Sequence, residues 1–177
     1  IGAGRIIRQD LVRINDAIES GELKNNPHLM DAFRHVKKND STLHIMGLVS
    51  DAGVHSHLDH FDFVLSSARE MEVEKIAVHA FMDGRDTSPT SGIEYIKHLK
   101  SQMDRDEGYR IATICGRYYA MDRDTRWDRI EIAYRMLIHS EGNKYRDAAS
   151  AIQASYDVDI RDEFILPAII GDRAPIR

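Results

Sequence analysis

Two rhythms of apolar positions run along the chain. From residue 5 to residue 19, Ile6, Ile7, Leu11, Ile14 and Ile18 recur at helical spacing, and Gly21 supplies a stop. Asn26-Pro27 reads as an N-cap followed by proline at the first helical position, and Met30, Phe33 and Val36 form the stripe of that helix. Residues 42–49 (TLHIMGLV) then form a short apolar run that predicts a buried strand. Helical spacing returns from Leu58 to Met71 through Phe61, Val64, Leu65 and Ala68.

The same sequence of elements then repeats. Residues 75–82 (KIAVHAFM) predict a strand, 83–88 a loop, and Pro89 the start of a helix through Ile93, Ile96, Leu99 and Met103. Residues 110–115 (RIATIC) predict a third strand, followed by a loop over 116–124. The next helix runs from about Thr125 to Ile138, with Trp127, Ile130, Ala133, Tyr134 and Leu137 as its apolar stripe and Gly142 closing it. Residues 146–155 give a weaker helix and 164–170 a last strand. Strand, loop and helix repeated three times predict an α/β fold: a mostly parallel sheet with helices on both faces, three layers in one domain over 1–177. In such sheets ligands bind beyond the carboxyl ends of the strands, which directs attention to residues 50–57, 83–88 and 116–124.

Composition narrows the classes. At 177 residues, with 42% apolar and 30% charged, the chain can bury a core. No apolar run approaches the roughly 20 residues that cross a bilayer, so no membrane partner is expected. A charged start after a glycine pair argues against a signal peptide. Ile1 is not an initiator methionine, which points to a fragment, a processed product or a trimmed chain. The lone Cys115 rules out an internal disulfide framework and fits a reducing, cytoplasmic setting. A net charge of −5 argues against a nucleic-acid partner. Arginine nevertheless outnumbers lysine, and guanidinium suits carboxylate and phosphate. Helix-surface pairing explains most such arginines, so those in strand-end loops matter most.

The first loop (SDAGVHSH, followed by Asp59 and His60) gathers three histidines and two aspartates. His55, His57 and His60 have three readings: substrate contact, metal ligation, or capping and solvent exposure; His55 lies nearest the strand end. The second loop, Asp83-Gly84-Arg85-Asp86-Thr87-Ser88, combines a permissive glycine with a clamp for an anion in Arg85. Asp86 is a candidate proton acceptor, and Thr87 or Ser88 a candidate cap whose helix attracts an anion. A plain Arg–Asp turn pair is the alternative. The third loop again places arginine after glycine, Gly116-Arg117, with Arg123 further on. Asp122 with Arg126 and Glu131 with Arg135 are spaced as helix ion pairs. Trp127 reads as a core anchor, while Tyr118 and Tyr119 stay open.

The segments HIMGLVSDAGVHSH, VHAFMDGRDTSP and GRYYAMDRDTRWDR resemble the substrate-binding (transferase) domain of cofactor-independent phosphoglycerate mutases. IGAGRIIRQDL resembles the stretch joining that family's two domains, and DEFILPAII a later piece of the same domain. The resemblance implies interconversion of 2- and 3-phosphoglycerate in glycolysis and gluconeogenesis. It implies a phosphoserine formed on a separate phosphatase-like domain with two divalent ions, Mn2+ or Mg2+, and no metal held by this chain. It assigns substrate binding to His55, Arg85, Asp86, Arg117 and Arg123, with Asp86 also assisting proton transfer. The nucleophile motif, the metal ligands and a later arginine-rich motif of the family are not among these residues. An isolated domain of this kind is therefore expected to lack turnover and to bind phosphoglycerate weakly. Two rivals remain at this level: a metal-dependent hydrolase on the His55, His57 and His60 cluster, and a non-catalytic anion-binding module.

Overall fold

A computed structural model describes residues 9–171, with Gly4 and Ile176. The expected helical positions Ile6 and Ile7 lie outside the described residues. Helix α1 (Asp10–Glu19) comes next, then a 3-10 turn at Glu22–Asn25 and helix α2 (Pro27–Lys38). Asn26 caps α2 as its sequence implies: its side chain accepts the backbone N–H groups of His28 and Leu29.

Strand β1 (Leu43–Val49), helix α3 (Leu58–Glu70), strand β2 (Ile76–Met82), helix α4 (Gly92–Met103) and strand β3 (Tyr109–Gly116) succeed one another in the predicted order. A short helix α5 (Arg117–Ala120), helix α6 (Trp127–His139), strand β4 (Asn143–Tyr145), helix α7 (Ala148–Asp157), a 3-10 turn at Asp162–Phe164 and strand β5 (Ala168–Ile170) complete the chain. The strand order is β1-β2-β3-β5-β4. β1, β2 and β3 are parallel, β5 runs antiparallel to β3, and β4 is parallel to β5.

Every residue of β2 is buried, because the strand is central and covered on both faces. Its side chains divide by the two-residue period of a strand. Val78, Ala80 and Met82 join a large core with Phe33 of α2, Leu65 of α3, Leu99 of α4 and Ile152 of α7. Phe81 points into a smaller cluster with Leu48, Cys115, and Ala133 and Met136 of α6. The three-layer architecture is therefore present.

Several boundaries and side chains differ from the sequence expectation. α4 starts at Gly92, not Pro89, and neither Thr87 nor Ser88 caps it. The Pro89 carbonyl accepts the backbone N–H of Asp162, a contact that holds this stretch outside the helix. α6 stops at His139, where Ser140 takes a left-handed conformation (φ 54°), so Gly142 is not its stop. Trp127 is no core anchor: it is 74% exposed, and Tyr134 is 56% exposed. The small cluster under α6 accepts only Ala133 and Met136 as fully buried helix residues, and Trp127, the first residue of the helix, lies six residues before the nearer of them. The last strand occupies only the end of the predicted 164–170 span.

Candidate functional site

The carboxyl ends of β1, β2 and β3 lie side by side, with Val49 paired to Met82 and Met82 to Gly116. The three loops beyond them therefore share one edge of the sheet. Asp83, the first residue of the second loop, is 1% exposed. Its Oδ1 accepts the backbone N–H groups of Arg85 (3.1 Å) and Asp86 (3.0 Å), closing a tight turn around Gly84 (φ 64°). Its Oδ2 accepts the hydroxyl of Ser50 at 2.7 Å, and its Oδ1 also accepts Nη1 of Arg117 at 2.7 Å. Burial alone would raise the Asp83 carboxyl's pKa. The Asp86 N–H, the Ser50 hydroxyl, the Arg117 guanidinium and the Arg85 N–H outweigh that effect and hold it below the usual carboxylate value.

Arg117 is the best-buried arginine of the group, its side chain 11% exposed. Its Nη1 donates to both Asp83 and Asp86, the latter at 2.6 Å. Arg85 reaches the rim, where its Nη1 meets Glu163 at 3.5 Å. His55 Nε2 stands 3.8 Å from Asp86 Oδ2. His55, Arg85, Asp86, Arg117, Arg123 and Glu163 line one open cleft of about 550 Å³. The five residues singled out from the sequence thus face a common space.

The histidine cluster divides: the rings of His57 and His60 stay near each other, 6.2 Å between centroids, and His55 parts from them. His57 caps α3 by accepting the N–H of Asp59, and His60 hydrogen-bonds Asn15 at 2.7 Å. His55 alone turns toward the cleft. The described residues contain no group of three or more His, Cys, Asp or Glu side chains arranged to hold a metal ion.

Other contributors escaped the sequence reading. Arg129 lines the cleft with its guanidinium stacked 3.9 Å over the Tyr118 ring. Asp122 pairs with Arg129 at 3.4 Å, whereas Arg126 offers it only a backbone N–H at 2.8 Å, so the expected Asp122–Arg126 ion pair is not formed. The Glu131–Arg135 pair is present at 3.4 Å, with Glu141 closer at 2.7 Å. Glu163 also lines the cleft, and with Asp162 it packs against Gly84 of the second loop and Gly116 before the third. A Cβ on Gly84 would lie 2.8 Å from the Glu163 nitrogen, and one on Gly116 would lie 2.1 Å from its carbonyl oxygen. Glycine precedes each arginine because this turn packs where a side chain would stand. No local signal marks that contact, since 78 residues separate Arg85 from Glu163.

Comparison with known proteins agrees with the motif resemblance. Residues 14–176 match the family described as BPG-independent PGAM N-terminus. A 2,3-bisphosphoglycerate-independent phosphoglycerate mutase of Myxococcus xanthus is 51% identical over 178 residues, covering 99% of this chain and 35% of that protein. Its counterpart in Listeria welshimeri is 49% identical over 170 residues, covering 96% of this chain and 33% of that protein. Among solved structures, a Leishmania mexicana phosphoglycerate mutase superposes with a TM-score of 0.89 at 31% identity, over 97% of this chain and 33% of its own. The chain spans about a third of the length of the relatives it matches. It belongs to the family of N-terminal regions of bisphosphoglycerate-independent phosphoglycerate mutases.

Proposed function

We propose that this chain is the substrate-binding (transferase) domain of an enzyme that interconverts 2- and 3-phosphoglycerate, acting in glycolysis and gluconeogenesis in the cytoplasm. The observation that carries this reading is the gathering of Arg85, Arg117, Arg123, His55 and Asp86 around one cleft at the strand ends. Phosphoglycerate presents a carboxylate and a phosphate on a three-carbon frame with one free hydroxyl. Guanidinium groups match both anions, and in this reading the Asp86 carboxylate, 3.8 Å from His55, takes the hydroxyl proton.

In this reading the phosphoryl group passes to a serine of the phosphatase-like domain of the parent protein and returns to the other hydroxyl. The glycerate, held by this domain, reorients between the two transfers. The two divalent ions implied for the complete enzyme find no fitting ligand set among the described residues. Asp83 and Asp86 are committed to Arg117, Asp122 to Arg129 and to backbone N–H groups, and His57 and His60 to capping and Asn15. In this reading the ions are held by the rest of the parent protein, and no step by this chain's residues is routed through them.

Charge supports a shared active site. The guanidinium groups of Arg85, Arg117, Arg123 and Arg129 face the carboxylates of Asp86, Asp122, Asp124 and Glu163, so the cleft lining carries no net positive charge. Such a lining orients a dianionic ligand but attracts it poorly, and further cations from the parent chain would complete the attraction. Calorimetric titration of the chain with 3-phosphoglycerate and with sulfate tests the reading. Weak binding with a clear preference for 3-phosphoglycerate, without mutase turnover, is expected. Equal affinity for the two would leave a general anion-binding module, and robust turnover by the purified chain would contradict the division of labour.

A further inference from the structure

Asp83 is a carboxylate set at the base of an anion site, where simple attraction would place none. It is closed off from the cleft at 1% exposure, so it does not itself meet a ligand. Its partners lie after three different strands: Ser50 after β1, the N–H groups of Arg85 and Asp86 after β2, and Arg117 after β3. One side chain thereby ties all three loops of the cleft together. The tie is specific at Arg117, whose Nη1 is shared between Asp83 at 2.7 Å and Asp86 at 2.6 Å. With Nη1 fixed, the plane of the guanidinium is set, and no other nitrogen of the Arg117 side chain has a hydrogen-bond partner among the described residues.

A fixed guanidinium plane favours a ligand whose two anionic groups stand at a set separation, since the ordering cost is met before binding. A single round oxyanion gains little from that geometry, while the nearby negative charge opposes both kinds of ligand. We propose that Asp83 is the positioning residue of the cleft, setting Arg117 so that a phosphate ester bearing a carboxylate is selected over a simple oxyanion. This deepens the reading of the site as a phosphoglycerate site and rests on it.

The test is a double-mutant cycle on this chain, with affinities for 3-phosphoglycerate and sulfate measured for the native chain, Asp83→Asn, Arg117→Ala and the pair. Asp83→Asn is expected to weaken 3-phosphoglycerate by roughly tenfold, and to leave sulfate unchanged or tighter, because a repelling charge is removed. In the Arg117→Ala background the same substitution is expected to change 3-phosphoglycerate affinity by less than about twofold. A general loss of structure would instead weaken both ligands in both backgrounds, and that result overturns the proposal. Should the Asp83→Asn amide spectrum show a lost fold, Ser50→Ala serves in its place. It removes one bond that aims the carboxylate and keeps the charge, and a smaller loss confined to 3-phosphoglycerate and to the Arg117 background is expected. Retained preference in a folded Asp83→Asn overturns the role of Asp83 alone. Absence of preference in the native chain overturns the phosphoglycerate reading, and this proposal with it.

Discussion

The carbonyl oxygen of Glu163 occupies the place where a side chain on Gly116 would begin, 2.1 Å from an ideal Cβ. The Gly116 N–H also donates to the Ile165 carbonyl at 2.8 Å, so the turn and the strand end are bound as well as packed. Gly116→Ala forces backbone to move against backbone. A loss of about 3 kcal/mol is expected, which lowers the melting temperature of a domain this size by roughly 10 °C. Thermal unfolding followed by circular dichroism checks it, and an unchanged midpoint would show that the turn yields freely.

Arg117 and Arg123 are both cleft arginines, yet the structure separates them. Removing Arg117 leaves two carboxylates, one of them buried, without their shared cation, so Arg117→Ala is expected to cost about 2–3 kcal/mol of stability as well as ligand affinity. Arg123 is exposed and pairs with no described residue, and Arg123→Ala is expected to stay within about 0.5 kcal/mol of the native stability while weakening 3-phosphoglycerate. Urea unfolding and ligand titration on both variants separate the two cases.

Trp127 is the single tryptophan of the chain and lies 74% exposed at the start of α6. Its fluorescence emission in the folded protein is expected near that of tryptophan in water, with little red shift on unfolding. Trp127→Ala is expected to change stability by no more than about 0.5 kcal/mol. A blue-shifted native emission would restore the core position that its spacing suggested.

His79 gives the domain an acid limit. It is 1% exposed in β2, hydrogen-bonded to His44 and to Thr113 at 2.9 Å each. Burial first, then His44 and Arg110, push its pKa down to about 4. The unfolded chain holds a proton on this imidazole below about pH 6.5, whereas the folded chain refuses it until about pH 4. Stability contributed by neutral His79 is therefore complete above pH 6.5 and falls through that window, by at most about 1.4 kcal/mol per unit. Stability measured from pH 7 to pH 4 in the native chain and in His79→Gln checks this: the variant's slope is expected to be shallower. Equal slopes would remove His79 as the cause.

Much of this molecule could be read from its residues because its long elements are strongly periodic. β1, β2 and β3 are each mainly apolar, broken only by His44, by His79, and by Arg110 and Thr113, and the loops after them hold His55, Arg85, Asp86, Arg117 and Arg123. β4 and β5 have three residues each, too few to show a period, and the antiparallel turn of β5 depends on partners distant in sequence. Trp127 misled because helical spacing reports a face and not how far the sheet beneath it extends. Asp83 was visible as a turn residue, but its grip on Ser50 and Arg117 arises only when three strands align. Glu163 fell within a segment of family resemblance, but nothing in it marked the packing of its backbone against two distant glycines or its reach to Arg85.

Whether the three strand-end loops form one phosphoglycerate site is decided by the amide chemical shifts of the chain titrated with 3-phosphoglycerate. The shifts are expected to be confined to residues 50–57, 83–88, 116–124 and 162–164, and to be strongly reduced in Arg85→Ala and in Arg117→Ala. Shifts centred elsewhere, or a titration untouched by both substitutions, would contradict a single site at the strand ends.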